Sequence, residues 1–308
     1  MLSYDLITVG NYTKDTIVSK AGTRHVDGGG YSYAAHAAAL KGLRIAAVTR
    51  LANEDRASTD ALRNKGIDVH IFESPQSTLM RLEYPTDNVD ERTLTVAAVA
   101  EPFAPELLAD FGARAFVVNG SARGEASLEV MQTLKAKVKD KGGLLCADLQ
   151  GFIRVVSDSG QLQYCPWPEQ AEILGLLDIL KTDAVEAEFL TRESDIHKAA
   201  AELARFGPKD IVLTHRDGLL VLSGGRYFEA GFFPVELRGR SGRGDTCMGS
   251  YVSCRLDASP GDATIWAAAV TSLKLEQEGP VNRSAADVEA LIAAKYGAAQ
   301  TRAGSQRP

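Results

Sequence analysis

The most informative part of this chain reads Gly239-Arg240-Ser241-Gly242-Arg243-Gly244-Asp245-Thr246-Cys247-Met248-Gly249. Two glycines one residue apart permit a tight turn, and the apolar residues that follow have helical spacing. We therefore expect Gly242 to Gly244 at a helix N-terminus, with outward-pointing amide N–H groups that bind an anion such as phosphate. Asp245 then serves as a helix-capping acid or as a base for a hydroxyl that attacks the phosphate.

Short apolar runs rich in β-branched residues alternate with helical patterns along most of the remaining chain. We predict strands at 6–9, 45–48, 115–118, 144–147, 179–180, 211–213 and 219–222. We predict helices at 33–41, 56–64, 128–139, 184–190, 196–206 and 246–255. Strand alternating with helix implies parallel pairing with helices on both faces, so the expected fold is a doubly wound α/β core with a mostly parallel sheet.

Two segments, 16–26 and 78–99, interrupt this alternation with short strands. We interpret them as a small β-sheet lid over one edge of the core; two unrelated surface excursions are the alternative. The predicted division places the core at 1–15, 28–73 and 101–308, and the lid strands at 16–27 and 74–100. The nucleotide site and the catalytic motif fall in the last core segment.

Composition excludes several classes of protein. The 308 residues carry 34 Lys plus Arg against 40 Asp plus Glu, a net charge of −6, which gives no basic face for nucleic acid or anionic lipid. No run approaches the roughly 18 apolar residues that a membrane span needs. The amino terminus does not resemble a secretory signal, and the four cysteines form no C-x-x-C pair. We therefore expect a cytoplasmic protein with neither a nucleic-acid nor a membrane partner.

Other motifs narrow the chemistry. The chain has no G-x-x-x-x-G-K-[ST] phosphate loop and no H-E-x-x-H, and its five histidines lie far apart, which leaves little support for a zinc site. Gly28-Gly29-Gly30 precedes an alanine-rich helix, where glycines allow either close approach of a ligand or tight packing of the helix. Asp15 follows the first strand, near the edge where open α/β sheets bind ligands.

Together these motifs resemble the ribokinase-like carbohydrate kinases, also called the phosphofructokinase B family. The resemblance runs from about residue 6 to residue 292, and its most specific part is Gly242-Arg243-Gly244-Asp245, where the family has G-A-G-D. It implies that Asp245 is the catalytic base and that the amides of Gly242, Arg243 and Gly244 form an anion hole. It also implies that Asp15, Gly28 and Gly29 line the acceptor site.

The resemblance further implies an ATP donor and magnesium. Asp183-Ala184-Val185-Glu186 stands where the family carries N-x-x-E, so Asp183 and Glu186 would hold Mg²⁺ through water; alternatively they are acids at the start of a helix. The family's nucleotide turn T-x-G-x-x-G is matched loosely by Thr214 and Gly218. Gly239 replaces an Asp that helps some members hold a monovalent cation, which weakens the case for potassium activation.

A finer likeness points to the branch that includes myo-inositol kinases. It rests on Asp148 and Arg154 after a strand, on the late glycine motif, and on Glu91-Arg92 in the lid. Asp148 and Arg154 would bind a polyhydroxylated acceptor or the phosphates, or else pair with each other. Tyr33 stands where many members have Asn, which disfavours ribose as the acceptor.

The sequence therefore predicts a magnesium- and ATP-dependent kinase that phosphorylates a hydroxyl of a small sugar, a cyclitol or a related polyol. A nucleoside kinase on the same fold and a sugar-binding regulator without catalysis remain the alternatives. Exposed apolar lid strands would also favour a homodimer.

Overall fold

The structure, a computed structural model, describes residues 2–20, 22–86, 93–140 and 142–297. Its strands are Leu2–Val9 (β1), Thr13–Ser19 (β2), Gly22–Gly28 (β3), Ile45–Leu51 (β4), Asp68–Glu73 (β5), Thr78–Glu83 (β6), Thr93–Ala98 (β7), Phe111–Val118 (β8), Leu144–Asp148 (β9), Arg154–Val156 (β10), Leu162–Tyr164 (β11), Ile179–Asp183 (β12), Asp210–Thr214 (β13), Gly218–Ser223 (β14) and Arg226–Gly231 (β15).

The α-helices are Gly30–Ala39 (α1), Asp60–Arg63 (α2), Leu128–Lys139 (α3), Gln150–Ile153 (α4), Gln170–Leu176 (α5), Ala184–Thr191 (α6), Ile196–Ala204 (α7), Arg243–Arg255 (α8), Pro260–Leu275 (α9) and Ala285–Lys295 (α10). Two 3₁₀ segments, Asn53–Thr59 and Pro105–Leu108, connect strands and helices.

The main sheet has the strand order β15-β14-β13-β12-β9-β8-β1-β4-β5 and is parallel from β13 to β5. Its strands are apolar on both sides: in β1, Leu6 packs into one core and Ile7 into the other. Helices α1, α8, α9 and α10 cover the first face, and α3, α5, α6 and α7 cover the second. The predicted doubly wound α/β core is confirmed.

Several predicted elements differ from the structure. The runs at 211–213 and 219–222 are β13 and β14, an antiparallel hairpin rather than two parallel strands. The segment 56–64 is divided between the 3₁₀ segment, which ends at Thr59, and the four-residue helix α2. The sequence pattern did not predict helices α9 and α10. Helix α9 is buried on nearly every side, so its apolar residues form no stripe with a period of 3.6.

The two interrupting segments form one four-stranded sheet, with the order β3-β2-β6-β7. The predicted lid is therefore one layer and not two separate excursions. Its first strand, β2, begins at Thr13, so the predicted core segment 1–15 ends too late. Glu91 and Arg92, quoted for the family likeness, lie outside the described residues.

The apolar face of the lid is covered within the chain. Ile17, Met80, Leu82 and Val96 form a buried cluster, and side chains of the β10–β11 hairpin pack against it. These strands are therefore less exposed than the dimer prediction assumes. Within the described residues, every helix is too short or too polar to cross a bilayer. All four cysteines are free.

Candidate active site

The polar residues of the candidate site lie at the edge of the sheet where β1, β8, β9 and β12 end. Asn119 directly follows β8, Asp148 ends β9 and Asp183 ends β12. The chain turns to β4 on one side of β1 and reaches β8 on its other side, which makes this edge a topological switch point. A cavity of about 440 Å³ lies at the opposite edge, where acids such as Asp178 are engaged in ion pairs.

The predicted turn and helix N-terminus are present. Gly242 caps α8 with φ +75°, and a Cβ at that position would collide with the ring of Tyr33. The amide of Arg243 donates to the carbonyl of Arg240 over 3.1 Å, so this amide closes the turn instead of facing a ligand as expected. The next amides, of Gly244 and Asp245, belong to the first helical turn, whose N–H groups have no intrahelical acceptor.

Asp245 lies beside the start of α1. Its Oδ1 accepts hydrogen bonds from Asn119 Nδ2 at 3.1 Å and from Gln150 Nε2 at 3.4 Å. A Cβ at Gly30 would overlap Oδ1 of Asp245, and one at Gly249 would overlap the backbone of Ala34. The small residues of α1 thus let α8 approach it closely, and this packing brings Asp245 to the end of β8.

A buried ion pair lies directly behind residues 242–244, which we call the anion-binding turn after its predicted role. Lys181 Nζ is 2.8 Å from Asp148 Oδ2, and the two residues are 4% and 0% exposed. The same ammonium occupies the space where a Cβ of Gly244 would lie. Burial favours the neutral amine, but the surrounding carboxylates, Asp148 foremost, raise the pKa of Lys181 above its ordinary value. Lys181 therefore keeps its proton and its positive charge beside Gly244.

Arg154 and Glu186 form a second pair. Arg154 Nη2 is 2.9 Å from Glu186 Oε1, so the alternative in which Asp148 and Arg154 pair with each other is wrong. Asp183 and Glu186 make a capping box at the start of α6: Asp183 Oδ1 accepts from the Glu186 amide at 2.8 Å, and Glu186 Oε2 accepts from the Asp183 amide at 3.1 Å. The helix-acid interpretation therefore describes what these two residues do in this structure.

The predicted acceptor residues come together at the junction of lid and core. Asp15 lies on β2, and its carboxylate faces Gly28 at the end of the paired strand β3. Gly29 caps α1. Tyr33 lies near both acids: burial raises its pKa, and the charges of Asp15 and Asp245 raise it further. A cavity of about 310 Å³ lies elsewhere between the lid and the segment that precedes α8, and its lining, which includes Ile17, Arg24 and Ser241, contains none of these predicted acceptor residues.

The predicted nucleotide residues belong to a tight hairpin. The Thr214 side chain is buried at the end of β13 and donates to the carbonyl of Thr182 at 3.4 Å. Gly218 begins β14, and its Cα faces the backbone of Ala230 so closely that a Cβ would not fit. Both residues therefore have structural reasons for their identity, and the Thr214 hydroxyl is hydrogen-bonded to the backbone of β12. His215 lies in the turn of this hairpin. Burial lowers the pKa of His215, and the charge of Arg243 lowers it further.

Sequence reasoning missed four residues that shape the site: Asn119, Glu125, Gln150 and Lys181. The carboxylate of Glu125 is buried and accepts from the amides of Asn11, Ser121 and Ala122, which fixes the loops after β1 and β8. One signal was available for Lys181, because a lysine inside the apolar run of a central strand requires a buried partner.

Comparison with known proteins identifies the family. The family described as "pfkB family carbohydrate kinase" matches this chain over residues 2–286. No match was found among curated proteins. One similar solved structure is a "pyrophosphate-dependent kinase in the ribokinase family complexed with a pyrophosphate analog and myo-inositol". It is 32% identical with a TM-score of 0.84, and the match covers 92% of this chain and 99% of the other.

Two further structures extend the likeness. A myo-inositol kinase variant described as converted from a pyrophosphate-dependent 1-kinase into a 3-kinase is 32% identical, with a TM-score of 0.84 and coverage of 94% and 99%. Ribokinase from Arabidopsis thaliana, complexed with ribose and ATP, is 18% identical over 94% and 99% of the chains, with a TM-score of 0.75, and shares the fold. The chain thus belongs to the pfkB family of carbohydrate kinases, which transfer a phosphoryl group to a hydroxyl.

Proposed function

We propose that this kinase phosphorylates a hydroxyl of myo-inositol or of a closely related cyclitol. The observation that carries the proposal is the meeting of the Asp245 carboxylate with the N-terminal amides of α8 at one point of the sheet edge. A base for the hydroxyl and donors for the phosphoryl oxygens are the two requirements of this transfer. The likeness to myo-inositol kinases over nearly the whole chain supports the cyclitol.

The proposed reaction follows from these positions. Asp245 accepts the proton of the acceptor hydroxyl, the acceptor oxygen forms a bond to phosphorus, and the bond from phosphorus to the leaving phosphate oxygen breaks. The amides of Gly244 and Asp245 and the ammonium of Lys181 stabilise the charge on the transferred oxygens. The lid excludes water, which would otherwise accept the phosphoryl group.

The acceptor side offers groups suited to a ring of hydroxyls. Asp15 supplies a carboxylate from the lid, while Asn119 and Gln150 supply amides beside Asp245. Carboxylates and amides bind hydroxyls as acceptors and donors respectively. The nearly buried Tyr33 lies at the same junction, and we propose that its ring supplies an apolar surface for the face of a cyclitol.

We propose pyrophosphate as the donor, with ATP, the donor predicted from the sequence, as the second candidate. Two cationic side chains lie near the anion-binding turn. Lys181 lies behind Gly244, and Arg243 is itself a residue of the turn. A small, highly charged donor gains its affinity from such cations, whereas ATP also needs contacts to its nucleoside. The loose T-x-G-x-x-G match and the buried Thr214 weaken those contacts. The observation in favour of ATP is the fold shared with an ATP-bound ribokinase.

Magnesium is the metal that this family implies. Asp183 uses Oδ1 for the helix cap, and carboxylate oxygens suit hydrated Mg²⁺, so Asp183 fits contact through water. Both oxygens of the fully buried Glu186 already accept bonds, from Arg154 and from the Asp183 amide. We therefore propose that Asp183 faces the hydrated ion and that Glu186 orients Asp183. The ion would neutralise charge on the donor when bound.

The function is tested by a matrix of donors and acceptors. Purified enzyme with Mg²⁺ would receive pyrophosphate or ATP, each with myo-inositol, other inositols, ribose or adenosine, and phosphorylated product would be quantified. Turnover of an inositol supports the proposal, and turnover of adenosine or ribose alone contradicts it. Preference for ATP over pyrophosphate would reverse the donor assignment without affecting the acceptor.

The matched variants are Asp245→Asn and Asp257→Asn, which alter acids at opposite ends of α8. Asp245→Asn should lower kcat by about 10²–10⁴-fold because it removes the base. Asp257 pairs with Arg114 at the far edge of the sheet, so its variant should keep normal turnover. Near-normal turnover in Asp245→Asn would remove the base assignment.

A homodimer through the lid strands also remains a proposal. It now depends on the outer edge of β3, because most apolar side chains of the lid are buried within the chain and the outer edge of β7 is already bridged to the β10–β11 turn through Thr95 and Gln161. Light scattering after size exclusion measures the mass directly, and a monomer at micromolar concentration would contradict the proposal.

A further inference from the structure

Lys274 is a fully buried lysine close to the site, and the proposed mechanism does not use it. It lies in the last turn of α9 and is 0% exposed. Its Nζ donates to the carbonyl oxygen of Gly239 at 2.8 Å and lies 3.5 Å from that of Gln277. Among the residues that the structure describes, no carboxylate lies within ion-pair distance of this ammonium. Burying a charge without an ion-pair partner is costly, and hydrogen bonds to carbonyls offset only part of that cost.

One of the two carbonyls around Lys274, that of Gly239, belongs to the segment that leads into the anion-binding turn, and the other, that of Gln277, follows the end of α9. The amides of Arg238 and Gly239 both donate to the carbonyl of Leu275, at 2.9 and 3.2 Å. A Cβ at Gly239 would collide with the backbone of Gln277. The end of α9 therefore holds this segment through its free carbonyls, and a cation at a helix C-terminus is favoured by the helix dipole.

A second contact extends from Lys274 to the turn itself. Its Nζ lies 5.8 Å from the centroid of the Tyr33 ring, and the same ring fills the space beside Gly242. The ammonium thus contacts the anion-binding turn from two directions, through the Gly239 carbonyl and through the aromatic ring. Moving it would loosen both supports of Gly242.

We infer that Lys274 is a positioning residue whose ammonium serves as an intrinsic cation for the segment 239–242, so that phosphoryl transfer requires no monovalent cation from solution. The inference rests on the proposed phosphotransferase function. An ordinary helix-capping lysine would stabilise the fold, but its loss would not make turnover responsive to small cations.

The test compares wild type, Lys274→Ala and Lys135→Ala in chloride salts of potassium, ammonium, sodium and tetramethylammonium at one ionic strength. Wild-type kcat should be the same in all four salts. Lys274→Ala leaves a space lined by two carbonyls, so its kcat in tetramethylammonium should fall by about tenfold or more and should partly recover in ammonium or potassium. Lys135 binds Asp178 at the opposite edge, and its variant should respond to none of the salts.

Binding of the cation to the variant has its own readout. Ammonium or potassium should raise the thermal midpoint of Lys274→Ala relative to tetramethylammonium, because a ligand that prefers the folded state stabilises it. Wild type should show no such difference. This measurement does not depend on turnover, so it separates a failure of this inference from a failure of the proposed function.

Three results would overturn the inference. They are stimulation of the wild type by potassium, unchanged kcat of Lys274→Ala in tetramethylammonium, and a folded Lys274→Ala that no cation reactivates or stabilises. If the variant does not fold, the wild-type comparison decides alone: independence from monovalent cations supports the inference and dependence contradicts it.

Discussion

The side-chain amide of Asn119 donates to Oδ1 of Asp245 over 3.1 Å, linking the end of β8 to the first turn of α8. Because the amide is neutral, this hydrogen bond orients the carboxylate without adding a positive charge. A positive charge there would lower the affinity of the carboxylate for a proton. Gln150 Nε2 approaches the same oxygen at 3.4 Å. Oδ2 is then the oxygen best placed to accept a proton from the acceptor, because both amides engage Oδ1.

Asn119→Ala should lower kcat by about ten- to hundredfold, because a hydrogen bond to a charged group contributes about 1.5–3 kcal/mol. The change should appear in kcat more than in the KM for the donor, since Asn119 contacts Asp245 and not the amides that we propose hold the donor. Steady-state kinetics measure both constants. Asn282→Ala, at an exposed residue that contacts Lys65, is the control, and equal kcat values for both variants would show that the Asn119 contact has no catalytic role.

Lys181→Met should both destabilise and inactivate the enzyme. Removing one partner of a buried ion pair leaves Asp148 charged and unpaired, at a cost of about 3–5 kcal/mol in the free energy of unfolding. Urea denaturation measures this loss. The double variant Lys181→Met/Asp148→Asn should recover much of the stability, because the remaining carboxamide is neutral.

Turnover separates the two roles of Lys181. The double variant should stay at least about tenfold less active than wild type, because it lacks the ammonium beside Gly244. If full activity returned together with stability, the role of Lys181 would be structural.

Gly242→Ala should abolish turnover, whereas Gly224→Ala should not. Both glycines have positive φ, +75° and +55°, so alanine is strained at either position by about 1 kcal/mol or more. Gly224 lies in the exposed β14–β15 turn with no atom near an added Cβ, but at Gly242 that atom would meet the Tyr33 ring. Thermal midpoints and kcat of the two variants check this, and an active Gly242→Ala would disprove the need for close contact.

The pH dependence of turnover should report Lys274. Burial lowers the pKa of Lys274 to about 8, and the charge of Glu278 opposes the shift. Glu278 is itself paired with Arg24 of the lid at 3.1 Å, and the ring of Tyr33, whose pKa is raised by burial, lies 5.8 Å from the Lys274 ammonium. Turnover should therefore fall as pH rises through about 8. Lys274→Arg keeps its charge in this range, so its profile should lack this decline, and an identical decline in that variant would exclude Lys274 as its origin.

Stability should change in the opposite direction. The unfolded lysine has a pKa of about 10.4, so between pH 8 and pH 10.4 the unfolded chain binds more protons at this position. The free energy of unfolding contributed by Lys274 therefore increases with pH across that window. Urea titrations of wild type and Lys274→Met at pH 7.5 and 9.5 measure it, and a wild-type change no larger than that of the variant would contradict it.

Local patterns in the sequence determined the architecture and the main motif. The alternation of short apolar runs with helical spacing predicted the parallel core, because strands buried on both faces are continuously apolar. The glycine pair before a helix predicted the anion-binding turn, because only certain backbone geometries leave several amides free. The same reasoning failed for β13 and β14, where no helix separates the strands, and for α9, which has no polar face.

The tertiary structure alone decided which side chains meet. Lys181 pairs with Asp148 and not with Asp183, Arg154 pairs with Glu186, and Asn119 reaches Asp245 across 126 positions of the chain. Such contacts depend on the register of parallel strands and on the close approach of α1 to α8. Neither the strand register nor the helix contact produces a periodic pattern in the sequence, because both depend on packing between elements that are distant along the chain.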